Sequence, residues 1–341
     1  MQTVGAGALK ANWDFNLGEA LGLMRLTAPF LLFRIVVYFG VTVALILTTG
    51  VGAGLGWTIG AFGEDEFQTG AVFWGSFAGF GLTAGVVFFL RNYLLYLVKA
   101  GHIAVMIELM EDRVIPGGQD QVRYAWKIVG ERFGQASSLF GLDQLIKGIL
   151  GVITGLIEGI LSLFPIPGVE QAAGALRAFL KIAVGLVDEV ILGHLMRIHS
   201  ENPWRDSQDA LVLYAQNAKP MMVNAAWLTL FTWILSFFVF LVMLAPAAFV
   251  VWILPGTWSA GGFVFALVFA WAVKSALIEP FAIACMLQVF FKVTAGQQPD
   301  AAWRAKLDGA TDKFRALGQR AAVWSGARPD GWLSRLNGGK L

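Results

Sequence analysis

Very little in this chain suits a secreted or a catalytic domain. Its one cysteine, Cys285, sits in an apolar run, so no intrachain disulfide can form and a small buried side chain is the expectation. GxxxxGK[ST], HExxH and GxSxG are all absent, which removes the common phosphate-loop, zinc-protease and serine-hydrolase signatures. The chain is therefore read as a non-enzyme, with no catalytic residues and no cofactor. There are only 3 histidines, and His194 and His199 are five positions apart, which turns them to different helix faces; no metal site is expected. Charged residues make up 14% of the 341 residues against 57% hydrophobic, so lipid is the expected surrounding. Lys10, Asp14, Glu19 and Arg25 precede the first long apolar run near Pro29, a layout that does not read as a cleaved leader.

What is abundant is long apolar sequence and 40 glycines. A hydrocarbon core about 30 Å thick requires roughly 20 apolar residues of helix. Six stretches meet that length, approximately 29–56, 70–98, 139–164, 174–197, 222–253 and 262–292. Being continuous rather than alternating, they predict helices and not a barrel, giving an all-α polytopic membrane protein of three hairpins. Residues 1–28 form an N-terminal interfacial segment, 29–298 the membrane domain, and 299–341 a cytoplasmic tail. The connectors Trp57–Gly70, Phe164–Ala173 and Leu254–Gly261 carry no Lys or Arg, whereas the other connectors and the tail carry nearly all of them. By the retention of basic residues in the cytosol, both termini are expected there, in a bacterial-type inner membrane.

The hairpins look alike. Gly101-His-Ile-Ala-Val-Met-Ile-Glu-Leu-Met110 aligns with Val187-Asp-Glu-Val-Ile-Leu-Gly-His-Leu-Met196, and more loosely with Ile278-Glu-Pro-Phe-Ala-Ile-Ala-Cys-Met-Leu287. An internal repeat predicts this, as do shared topology rules. Amphipathic helices are expected on the inner side. The clearest carries Trp303, Leu307, Ala310, Phe314, Leu317, Ala321 and Trp324 on one seam, suited to docking, to anionic lipid or to self-association. Another covers Asn12 to Ala28. The spacing of Gly151, Gly155 and Gly159 predicts close helix packing, with Gly75, Gly79, Gly81 and Gly85 as a complementary surface and a homo-oligomer as a further outcome. No nucleic-acid partner is expected.

Ionisable residues inside apolar spans need partners or water, because a charge at the bilayer centre costs roughly 2.5–3.5 kcal/mol even on lenient scales. Arg34, Lys147, Arg177, Lys181 and Lys274 lie in or at the edges of these stretches. Candidate residues of a substrate or ion pathway are His102, Glu158, Lys181, Asp188, Glu189, Lys274 and Glu279. Glu158 and Lys181 sit at comparable depths on either side of one turn and are expected to pair. Asp143 and Lys147, one turn apart, form a local pair. In the repeat alignment His102, Asp188 and Glu279 are equivalent and are expected to converge at the inner end of a central cavity. Pro280 removes a backbone donor near there and predicts a kink with a freed carbonyl.

Asp209-Ala-Leu-Val-Leu-Tyr-Ala-Gln-Asn217, with the two apolar stretches and the proline that follow, resembles the choline transporter-like family over residues 187–299. The resemblance implies transport of choline or a related organic cation. A transporter or channel for a small solute is one expectation; a non-transporting scaffold that anchors cytoplasmic helices to a partner is the other.

Overall fold

The computed structural model describes residues 13–90, 95–115, 117, 120–133, 136–162, 188–253 and 259–324. These are helical throughout, with no strand among them: α1 (Leu17–Leu26), α2 (Ala28–Gly60), α3 (Asp65–Leu90), α4 (Tyr96–Met110), α5 (Asp120–Phe133), α6 (Ala136–Ser162), α7 (Asp188–Arg197), α8 (Pro203–Gln216), α9 (Ala218–Ile253), α10 (Ser259–Val273), a π turn (Lys274–Ile278), α11 (Glu279–Val293), α12 (Ala301–Ala310) and α13 (Asp312–Ala322).

Among the described residues, three helices are long and apolar enough to cross a membrane: Ala28–Gly60, Ala218–Trp252 and Gly262–Val293. Large apolar side chains such as Leu47, Val51, Phe237, Phe238, Val242 and Phe263 are exposed along them, as a lipid solvent requires. Of the six expected spans, these three are the ones supported among the described residues. Most of the stretch 174–197 lies outside the described residues, and its described end, α7, is enclosed by protein. α4 is likewise buried almost from end to end and is not an amphipathic connector. In α6, Leu142, Ile146, Ile149 and Ile153 are buried against the protein core. Hydropathy measures escape from water, and a helix sealed in a protein core satisfies it as well as one in lipid.

Glycine lets α2 and α3 approach to backbone contact. A Cβ at Gly52 would collide with the Gly75 carbonyl, one at Gly75 with the Gly52 carbonyl, and one at Gly79 with the Thr48 carbonyl. Across the same seam Thr83 Oγ1 donates to Thr48 Oγ1 at 2.7 Å. The packing expected of Gly151 and Gly155 is corrected: a Cβ at either meets nothing within 4 Å among the described residues, and the surroundings of Gly159 lie outside them. Gly81 and Gly85 also face open space, so of the four glycines expected to form a complementary surface only Gly75 and Gly79 serve in close packing.

α4, α7 and α11 pack around one another and carry much of the largest apolar cluster, which includes Ile103, Met106, Ile107, Ile191, Leu195, Leu287 and Phe290. Burying each such side chain stabilises the fold by roughly 1.5–3 kcal/mol. All three helices are followed by a left-handed residue, Asp112 (φ 54), His199 (φ 52) and Gly296 (φ 71). After α4 and α7 the turn closes with Arg113 N–H donating to Glu108 O at 2.9 Å and Ser200 N–H to Leu195 O at 3.1 Å, the six-to-one bond of a Schellman cap.

The tail is docked on this core. It is two helices, not one, because Thr311 is extended (φ −153, ψ 128) and its hydroxyl caps α13. Leu307, Phe314 and Leu317 of the expected seam are fully buried, and Gln208 Nε2 donates to Phe314 O at 2.8 Å. The N-terminal segment is pinned in the same manner, with Asp14 N–H donating to Asn224 Oδ1 and Asn16 N–H to Gln288 Oε1, both at 2.7 Å.

Candidate functional site

The π turn organises the polar centre of the molecule. Pro280 has no N–H to give to Ala276, and the Glu279 N–H reaches back to Lys274 O, one residue further than in an α-helix. The Ser275 carbonyl is released by this widening, and Arg34 Nη2 on α2 donates to it. Arg34 is completely buried, and its Nη2 also lies 3.6 Å from Glu279 Oε2. Its Nε and Nη1 have no hydrogen-bond partner, while the guanidinium carbon sits 5.6 Å from the centre of the Tyr38 ring.

From Arg34 a chain of opposite charges crosses five elements. Lys99 on α4 joins Glu279, at 2.5 Å, to Glu189 on α7, at 2.8 Å. Lys147 on α6 joins Asp143, at 2.6 Å, to Asp188 on α7, at 3.2 Å. A buried ion costs several kcal/mol of desolvation, which only close opposite charges and hydrogen bonds offset. Burial opposes ionisation of Glu189, yet the Lys99 ammonium and the neighbouring Asp188 outweigh it and hold the carboxyl down at about 2. Burial pushes Asp188 the other way, well above the usual carboxylate range, and the adjacent Glu189 charge adds to it. Asp188 Oδ1 and Glu189 Oε2 are both buried without a partner.

Beside this network lies a cavity of about 200 Å³. Tyr38, Tyr96 and Trp271 form its aromatic wall, and Lys99, Lys147, Lys274 and Glu279 its charged one. Tyr38 and Trp271 meet edge to face with centroids 5.5 Å apart, and Lys147 Nζ lies 5.7 Å from the Tyr96 ring centre. Lys274 is exposed at this cavity and forms no ion pair among the described residues.

Of the residues singled out from sequence, Asp188, Glu189 and Glu279 belong to the network and Lys274 to the cavity beside it. His102 does not join them. It is buried, stacked on Phe30 at 5.0 Å with ring planes 5° apart, and neither ring nitrogen has a partner. The pair expected between Glu158 and Lys181 lies outside the described residues, as does Arg177. Arg34, Lys99, Asp143, Lys147 and the three aromatic residues complete the site. Arg34 and Lys147 carried a signal in sequence, a charge in an apolar stretch; Lys99, Tyr38, Tyr96 and Trp271 did not. His194 lies edge-on to Phe290 at 5.4 Å, and His199 Nε2 accepts from Arg113 Nη1 at 2.7 Å.

Asp209 and Asn217, which carry the resemblance noted above, tie α8 to the tail: Asp209 pairs with Arg304, and Asn217 Nδ2 donates to Gln297 Oε1 at 2.7 Å. No family model, curated protein or solved structure matches the chain.

Proposed function

We propose that this is an integral inner-membrane protein, with both termini in the cytosol, that admits a small polar solute to the cavity at the π turn and passes it across the bilayer. The observation that carries this reading is the cavity itself, a polar space ringed by ion pairs where α2, α4, α6 and the π turn converge. A purely structural ion-pair cluster gains nothing from an open space or from an unpaired lysine beside it. On this reading the hairpins α2–α3 and α9–α10 sit in lipid, and the three helices with left-handed caps head repeated units on the cytoplasmic side. The distribution of basic residues supports the orientation.

Reconstitution in liposomes tests it. Flux of inorganic phosphate, choline and protons is compared between the natural protein and a Glu279→Gln variant, which weakens the network at the cavity wall. Solute entry above that of empty vesicles, reduced at least about tenfold by the variant, is expected. Vesicles as tight as empty ones for all three solutes would remove the transport reading.

One observation favours a scaffold as the second reading. The tail is held to α8 and its approach by Asn202 Nδ2 to Ala321 O and by Trp324 Nε1 to Glu201 O, each at 2.9 Å, which presents a fixed basic helix to a partner, to anionic lipid or to a second copy. Liposomes that stay tight, together with a complex that is lost when residues 299–341 are removed, are the outcome this reading requires.

A further inference from the structure

The sign of the ligand can be read from how the cavity's charges are already used. Lys99 and Lys147 each hold two carboxylates. Lys274 holds none, although it lines the same cavity. Glu279 is the one carboxylate among the described lining residues, and it already faces Lys99 and Arg34. Two of the three rings in the aromatic wall already face a cation of the protein, Arg34 over Tyr38 and Lys147 over Tyr96, which weakens them as seats for an organic cation. An incoming cation would meet three ammoniums and two rings that already carry cations. An anion would meet an unpaired ammonium.

We infer that the cavity binds an anionic oxygen group, a phosphate or a carboxylate, with Lys274 as its principal contact and Lys99 beside it. This rests on the reading of the cavity as a solute site and names the class of solute. Pockets for drug-sized ligands run to roughly 300–1,000 Å³, so about 200 Å³ admits a small anion or one headgroup and little more. The layer behind the wall agrees. Burial, with the adjacent Glu189 charge, raises Asp188 well above the usual carboxylate range and so opposes further negative charge there. Arg34, behind the lining, has two further donor nitrogens, Nε and Nη1, that are buried with no partner among the described residues.

Two sources supply this chemistry: an anion dissolved in the cytosol, or the headgroup phosphate of an anionic lipid entering sideways. Lys274 is exposed and Leu277, in the same π turn, is 40% exposed, so this turn offers both an apolar surface to lipid and an ammonium at the cavity.

Two measurements on the full chain separate the sources. In neutral detergent, thermal unfolding is followed against sodium phosphate, with sodium chloride at equal ionic strength and choline chloride as comparisons. From vesicles of phosphatidylcholine and phosphatidylglycerol, retained lipid is counted by native mass spectrometry. Each is repeated on Lys274→Gln and Lys274→Arg; Lys274 is exposed and unpaired, so neither change disturbs a packed contact. Stabilisation by phosphate that Lys274→Gln weakens about tenfold and Lys274→Arg preserves assigns a free anion. Retention of phosphatidylglycerol over phosphatidylcholine that Lys274→Gln abolishes assigns a headgroup. If neither response depends on Lys274, or if choline stabilises where phosphate does not, the inference is wrong. Tight liposomes alongside a Lys274-dependent anion response would overturn transport and leave the anion site standing.

Discussion

Lys99 and Glu189, ninety positions apart in sequence, meet at 2.8 Å, with the carboxylate side chain only 3% exposed. Removing one partner strands the other, and breaking a buried pair in this way costs about 3–5 kcal/mol. Lys99→Met is expected to destabilise the protein by that order, measured by unfolding in mixed detergent micelles. Adding Glu189→Gln to it should recover a large part of the loss. A double variant that is additively worse would show that the pair is not the source of the cost.

The seam between α2 and α3 gives a test with a built-in control. Gly52→Ala and Gly75→Ala each drive a methyl into a backbone carbonyl of the opposite helix, which cannot yield as a side chain does. Overpacking of this kind costs typically about 1–3 kcal/mol. Gly54→Ala and Gly81→Ala meet open space and should be neutral or slightly stabilising, since alanine is the better helix former.

Acid should destabilise the helical core through two histidines. Burial lowers the pKa of His102 well below 6.5, with the charge of Arg34 adding to the effect, and burial followed by Arg197 lowers that of His194. Below about 6.5 the unfolded chain takes up protons that the native core refuses. This stabilising contribution is therefore complete above that pH and is lost as pH falls toward the depressed native values, at up to about 1.4 kcal/mol per pH unit for each group. Melting followed from pH 7.5 to 5.5 should show the loss, and His102→Phe should flatten it. A pH-independent melting temperature over that interval would contradict the buried, unpartnered placement of His102.

The tail should be released by one substitution. Phe314 is fully buried under α8, and Phe→Ala changes at such sites cost about 3–5 kcal/mol, more than a two-helix appendage spends in docking. Phe314→Ala is expected to open the linker near Thr311 to limited proteolysis while the spanning helices stay protected. Equal cleavage of the natural protein and the variant would mean that the tail is not held by this side chain.

The first and last segments should part in acid as well. Asp14 accepts a hydrogen bond from Asn224 Nδ2 and faces Lys292 at 3.1 Å, and these hold its carboxyl below the usual range. Its contribution is present above the ordinary aspartate value of 3.8 and disappears as pH falls through the lowered native value. Asp14→Asn should raise amide exchange over α1 at neutral pH to the level the natural protein reaches only in acid.

Sequence by itself determined the material of this protein: helices throughout, a lipid-facing share of them, and charges such as Arg34, Asp188, Lys274 and Glu279 set where they need partners. It also placed Pro280 as the breaker that opens the helix. Tertiary structure decided which apolar helix meets lipid and which meets protein, since a helix sealed in a protein core escapes water as fully as one in lipid. It decided the pairings too. Asp143 and Lys147 are a local pair by spacing, but the bridge from Lys147 to Asp188 and the bond from Arg34 to Ser275, 241 positions away, depend on helices that only the packed core brings side by side. Local sequence fixes the helical period and the cost of leaving a charge alone; it carries no record of which distant charge will answer it.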